Sequence, residues 1–165
     1  QGVRSLASRG QSYDLLIYER QLPAAIDFVQ AIPDVPMVLD HIAKPRIADA
    51  VLEPWSSQIR ELALAPNLMC KLSGMVTEAN WLDWTPSDLA PYIETVIEAF
   101  GPQRLMFGSD WPQSESLEFN SYPNVFGVAR AYTRSKGPSA MEKVFWKNSL
   151  KPYRWVKRLP SQRQA

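Results

Sequence analysis

Arg104-Leu105-Met106-Phe107-Gly108-Ser109-Asp110-Trp111-Pro112 decides how this chain is read. An apolar strand ends abruptly in Gly-Ser-Asp, and Pro112 cannot donate to a continuing ladder. Asp110 is thereby set at the C-terminal tip of a buried strand, where α/β folds keep their chemistry. A second run, Met37-Val38-Leu39-Asp40-His41, ends the same way and carries the only histidine of the chain.

Outward from these two runs, short apolar strands alternate with amphipathic helices. Tyr13 to Tyr18 reads as a strand, followed by a helix with Pro23 in its first turn and Leu22, Ile26, Val29 and Ile32 on one face. After the strand that ends at His41, Pro54 and Trp55 open a helix whose apolar face is Trp55, Ile59, Leu62 and Ala63. Leu68 to Gly74 is a third strand. Thr85, Pro86 and Asp88 then spell a capping box ahead of the stripe Leu89, Ile93, Val96, Ile97 and Phe100, which Gly101 terminates. Beyond the Arg104 strand two further helices are expected. The last is opened by a capping box over Ser139-Ala140-Met141-Glu142 and bounded by Pro152.

Near-continuous apolar strands alternating with helices predict a parallel sheet covered by helices. Four strands are half of the eight in a closed (β/α)8 barrel. The open doubly wound sheet is the alternative, but no glycine-rich phosphate loop follows the first strand. The 165 residues are expected to form a single domain, without repeats or low-complexity linkers.

Composition narrows the function. Eighteen basic residues against seventeen acidic give a net charge of +1, with no basic stripe, so nucleic acid is not an expected partner. The basic tail from Lys151 to Arg163 is short and reads as a solvated C-terminus. No apolar run approaches the ~20 residues that span a bilayer, so no membrane is expected. The single cysteine, Cys70, permits no internal disulfide and reads as a small core residue in a reducing, cytoplasmic setting.

Asp110 suits a general base or a metal ligand, or else caps the turn that follows it. His41 is a structural residue or a partner of Asp110, and Asp40 either caps the turn or orients the imidazole. Strand alternation groups His41 with Leu39 and Met37, and Asp110 with Gly108 and Met106, which allows both tips to face one interior. Lys71 alternates with Cys70 and Leu72, and a lysine there is costly unless it meets a carboxylate or an anionic ligand. Ser73 continues the same face. The long loop from Met75 to Trp84 is rich in Trp and suited to a substrate pocket. There Glu78 is a substrate contact or a solvated acid, and Trp81 and Trp84 contact substrate or plug the barrel end.

Together, Val38-Leu39-Asp40-His41-Ile42-Ala43-Lys44-Pro45, Lys71-Leu72-Ser73-Gly74, Arg104 to Pro112 and Asn148-Ser149-Leu150-Lys151-Pro152-Tyr153 resemble the amidohydrolase superfamily. The likeness is to its amidohydrolase-related, fuconolactonase-like TIM-barrel lactonases, over Tyr13 to Tyr153. That resemblance implies hydrolysis of a small sugar-acid or dicarboxylate lactone. Asp110 would activate water and later protonate the leaving oxygen, and His41 would bind a divalent metal, zinc, or polarise the carbonyl. Lys71, Ser73, Glu78, Trp81 and Trp111 would contact substrate. The same scaffold implies a second reading, a metal-dependent decarboxylase of an aromatic or muconate-type acid. A third is a non-catalytic half-barrel.

The family's His-x-His pair has no counterpart here, because the chain has one histidine. His41 and Asp110 are then the only candidate metal ligands, short of the three that a catalytic zinc takes. The expectation is a C-terminal portion of the barrel, of weak or no activity alone. Exposed sheet edges and an apolar inner face would favour homo-oligomers.

Overall fold

β1 (Tyr13–Leu15), β2 (Met37–Leu39), β3 (Leu68–Leu72) and β4 (Leu105–Phe107) pair in parallel in their chain order. A computed structural model describes residues 2–113 and 121–153. The register sets Leu15 opposite Leu39, Leu39 opposite Cys70 and Leu72 opposite Phe107. The architecture is therefore four β/α units of a parallel sheet, half the strands of a closed barrel.

The helices in chain order are α1 (Arg4–Ser8), α2 (Leu22–Ala31), α3 (Trp55–Leu62), α4 (Met75–Glu78), α5 (Pro86–Phe100), α6 (Tyr122–Arg134), α7 (Pro138–Phe145) and α8 (Leu150–Tyr153). Leu15, Met37, Leu39, Leu68, Cys70, Leu72 and Leu105 form one buried cluster with the apolar faces of α2, α3 and α5. That face of the sheet is the helix side. α5 carries the expected capping box: the Thr85 N–H donates to Asp88 Oδ2 at 2.7 Å, and Gly101 ends the helix at φ 64°. Its stripe of Leu89, Ile93, Val96, Ile97 and Phe100 is buried as a unit.

The opposite, inner face carries a small cluster of Val38, Met69 and Met106, against which Tyr153 packs. The expected exposed apolar interior is thus corrected: these three side chains are buried, and their neighbours on that face are charged. Asn148 ties the C-terminal segment down, donating to Pro102 O at 2.8 Å and Leu105 O at 2.7 Å.

Other differences are local. β1 stops at Leu15 instead of running to Tyr18, and Leu16 beyond it is exposed. The Met75–Trp84 loop opens with the single turn α4, which buries Met75 and Val76. α7 starts at Pro138 behind Gly137, whose φ of 92° occupies the N-cap, so Ser139 lies inside the first turn and caps nothing. α7 also ends at Phe145, and Pro152 sits within α8 rather than bounding the preceding helix. α1 was not expected. Most of the basic tail lies outside the described residues, among which no helix is long and apolar enough to cross a membrane.

Candidate active site

Strand alternation alone would send His41 to the wrong side. Met37 and Leu39 face the helices, so a continuing β2 would point His41 there too. The chain instead enters a left-handed turn: φ is 50° at His41, 47° at Ile42, 61° at Ala43 and 48° at Lys44. Each such L-residue costs about 1–2 kcal/mol, and a β-branched one is an outlier. Burial of Ile42 and Ala43 holds the turn, as do two hydrogen bonds at 2.8 Å, from the Lys44 N–H to His41 O and from Trp55 Nε1 to Ile42 O. Strain maintained by so many contacts is a mark of a functional position.

The turn brings the imidazole to the inner face. On β3, Leu68, Cys70 and Leu72 face the helices, so Met69, Lys71 and Ser73 face inward. His41 Nδ1 lies 2.9 Å from Ser73 Oγ. His41 Nε2 lies 3.7 Å from Asp110 Oδ1, with the two side chains 20% and 18% exposed. Asp110 itself has φ 58°. Two glycines make this approach possible: a Cβ on Gly74 would come within 2.7 Å of the His41 ring, and one on Gly108 within 2.9 Å of Ser73 Cβ. The separation of Nε2 and Oδ1 is too long for a direct hydrogen bond and leaves reach for one bridging oxygen.

Beside this pair sits a charged cluster. Lys71 Nζ is 2.8 Å from Asp14 Oδ2 and 2.7 Å from Asp40 Oδ1, the latter an ion pair without hydrogen-bond alignment. The Tyr153 hydroxyl donates to Asp14 Oδ2 at 2.8 Å. Burial works against the Lys71 charge, yet the Asp14 and Asp40 carboxylates outweigh it and hold its pKa above the ordinary lysine value. Burial pushes the Tyr153 phenol up to about 12, a hydrogen bond with Lys71 opposes that, and one to Asp14 adds to it. Lys71 thus meets the carboxylates a buried lysine needs, and Asp40 serves it rather than the imidazole.

The remaining candidates scatter. Glu78 accepts from Lys44 Nζ at 3.1 Å, and that ammonium also lies 5.2 Å from the centre of the Tyr18 ring. Trp81 is 51% exposed, its Nε1 donating to Thr77 O at 3.0 Å, and Trp111 is 62% exposed. A cavity of about 520 Å³ lined by Leu82, Trp84, Pro86 and Val128 borders neither His41 nor Asp110. Cys70 is a core thiol: burial, with Asp40 adding to it, raises its pKa and keeps it inert. Sequence reasoning missed Asp14 and Tyr153 as site residues. Asp14 carried the same signal as Lys71, a charge between apolar neighbours on a strand.

Among the described residues no three His, Cys, Asp or Glu side chains converge as a metal site. His41 and Asp110 are two donors, and three are needed. The residues described do not by themselves fit a catalytic zinc.

The family model for amidohydrolases matches residues 2–155. The L-fucono-1,5-lactonase of Burkholderia multivorans is 39% identical over 154 residues, covering 88% of this chain and 51% of that protein. The L-fucono-1,5-lactonase of Burkholderia ambifaria is 36% identical, covering 92% and 53%. A crystal structure of a Burkholderia multivorans amidohydrolase with bound zinc superposes with a TM-score of 0.86 at 36% identity, covering 94% of this chain and 56% of that one. The solved neighbours are TIM-barrel amidohydrolases, and the chain spans about half the length of the curated relatives it matches. On these grounds the chain belongs to the amidohydrolase family and resembles its fuconolactonases.

Proposed function

We propose that the intact protein hydrolyses a neutral sugar-acid lactone, with this chain supplying Asp110 and His41 as working groups. The observation that carries the reading is the 3.7 Å gap between His41 Nε2 and Asp110 Oδ1, at the tips of two strands of one sheet. In the reaction, the Asp110 carboxylate takes a proton from water as its oxygen bonds to the lactone carbonyl carbon. His41 polarises the carbonyl oxygen and stabilises the charge that develops on it. Collapse breaks the ring C–O bond, and Asp110 returns its proton to the departing oxygen, giving the open hydroxy acid.

Charge supports a neutral substrate over a dicarboxylate one. The two lysines beside the site are already matched, Lys44 by Glu78 and Lys71 by Asp14 and Asp40. Neither is left over for a substrate carboxylate, which takes a charge-assisted partner. The similarity to two L-fucono-1,5-lactonases agrees with that choice. One solved relative carries zinc.

The test is hydrolysis of neutral aldonolactones and of dicarboxylate lactones by the intact protein. The expected result is turnover of the neutral class, reduced about 10²–10⁴-fold by Asp110→Asn, the range for losing a general base. Undiminished turnover in that variant would overturn the reading. So would release of carbon dioxide from an aromatic acid without lactone opening.

A further inference from the structure

Two neighbours in sequence, Ser73 and Gly74, hold the His41 ring. Gly74 lies flat against it, since a Cβ at that glycine would come within 2.7 Å of His41 Cβ, Cγ and Nδ1. Ser73 Oγ meets Nδ1 at 2.9 Å. The other ring nitrogen, Nε2, lies 3.7 Å from Asp110 Oδ1. Ser73 is 1% exposed, and Gly108 backs its Cβ so closely that no side chain fits between them.

Counting protons across the Ser73–His41 bond decides its direction. A serine hydroxyl has one hydrogen to give and two lone pairs to accept with, and a neutral imidazole has one N–H and one bare nitrogen. His41 is the only hydrogen-bond partner of the Ser73 side chain among the described residues. If Nδ1 carried the proton it would donate to Oγ, and the serine hydrogen would be buried with no acceptor among the described residues. If Ser73 donates to a bare Nδ1, every hydrogen has a partner and only an acceptor lone pair goes unused, the smaller loss.

We infer that Ser73 holds neutral His41 in the Nε2–H tautomer, so that the imidazole presents a donor, not a lone pair, to Asp110 and the substrate. This reassigns Ser73 from substrate contact to positioning residue. It also separates two roles open to His41. A metal at Nε2 needs a bare Nε2, with Nδ1–H donated to a firm acceptor such as a carbonyl or carboxylate. A serine whose hydrogen has no other acceptor among the described residues is the wrong partner for that. A donor at Nε2 is instead what polarises a lactone carbonyl. The catalytic meaning rests on the proposed function, but the tautomer does not.

Because His41 is the only histidine in the chain, its ring nitrogens can be read without assignment ambiguity. The experiment is a long-range ¹H–¹⁵N correlation spectrum of the ¹⁵N-labelled chain, which reads the protonation of each ring nitrogen directly. The expected pattern is a protonated Nε2 and a bare Nδ1. In Ser73→Ala the preference should collapse toward a mixture of both tautomers while the backbone amide spectrum stays folded. A protonated Nδ1 in the unmutated chain would overturn the inference whatever the variant does, as would a Ser73→Ala ring spectrum identical to the parent. A protonated Nδ1 together with intact lactone hydrolysis would remove the inference and leave the proposed function standing. A protonated Nε2 in a protein that opens no lactone would do the reverse.

Discussion

The two faces of one four-stranded sheet are built on different principles. Toward the helices, Leu15, Leu39, Cys70, Leu72 and Leu105 meet apolar helix faces and are shut away from water. On the inner face, residues one position removed along the same strands include Asp14 and Lys71, with Ser73 just beyond β3 and Asp40 and His41 just beyond β2. The first face draws its stability from area removed from water. The second must match every charge and orient every donor. A period of two residues lets one strand do both, so neighbouring substitutions are expected to fail in different ways.

The largest stability loss belongs to the helix side. Leu72→Ala empties a fully buried site and should cost about 2–5 kcal/mol, read as a lowered denaturant midpoint with an unchanged slope. On the inner face, Lys71→Met should cost about 2–3 kcal/mol. It leaves Asp14 and Asp40 facing each other without a cation, a penalty reduced because Asp14 is a third exposed. Replacing Asp14, Asp40 and Lys71 together by apolar residues should recover much of that loss in the same titration. If Lys71→Met proves neutral, the inner face is not governed by charge matching and the comparison breaks.

Gly74→Ala sharpens the contrast, with an expected cost of about 1–2 kcal/mol from its φ of 63°. Its added Cβ would also displace the His41 ring, so catalysis should fall further than stability.

The smallest effect is expected at Tyr153. Its pKa is raised in the folded chain to about 12 from the ordinary 10, so between those values the folded state holds a proton that the unfolded state has lost. Its contribution is therefore complete below pH 10 and disappears as pH climbs through 12. Tyr153→Phe should cost about 1 kcal/mol at neutral pH and flatten the fall in stability across that window, measured by denaturation at stepped pH. A steeper fall in the variant would contradict the assignment.

The order of strands and helices was legible because it rests on local signals: apolar runs, the Thr85–Asp88 box and the Gly101 stop. The inner face was less so. Nothing in Asp40-His41-Ile42-Ala43-Lys44 announces a left-handed turn, since no glycine or asparagine marks it and Ile42 argues against it. Simple alternation therefore gave His41 the right destination for a wrong reason: Leu39 and Met37 do not share its face. The Asp14–Tyr153 hydrogen bond joins residues 139 apart in sequence, and no local pattern reports such a contact. Ser139 followed by Glu142 looked like a cap, but the Gly137-Pro138 pair ahead of it already starts the helix.

The central claim is that the tips of β2 and β4 act as one catalytic unit. The most direct measurement is a double-mutant cycle on lactone hydrolysis by the intact protein, using His41→Asn, which tolerates the positive φ, with Asp110→Asn. Groups that work as a unit are strongly non-additive. The account predicts that the double variant is no slower than the slower single variant. Losses that multiply would mean that His41 and Asp110 act independently, and would contradict it.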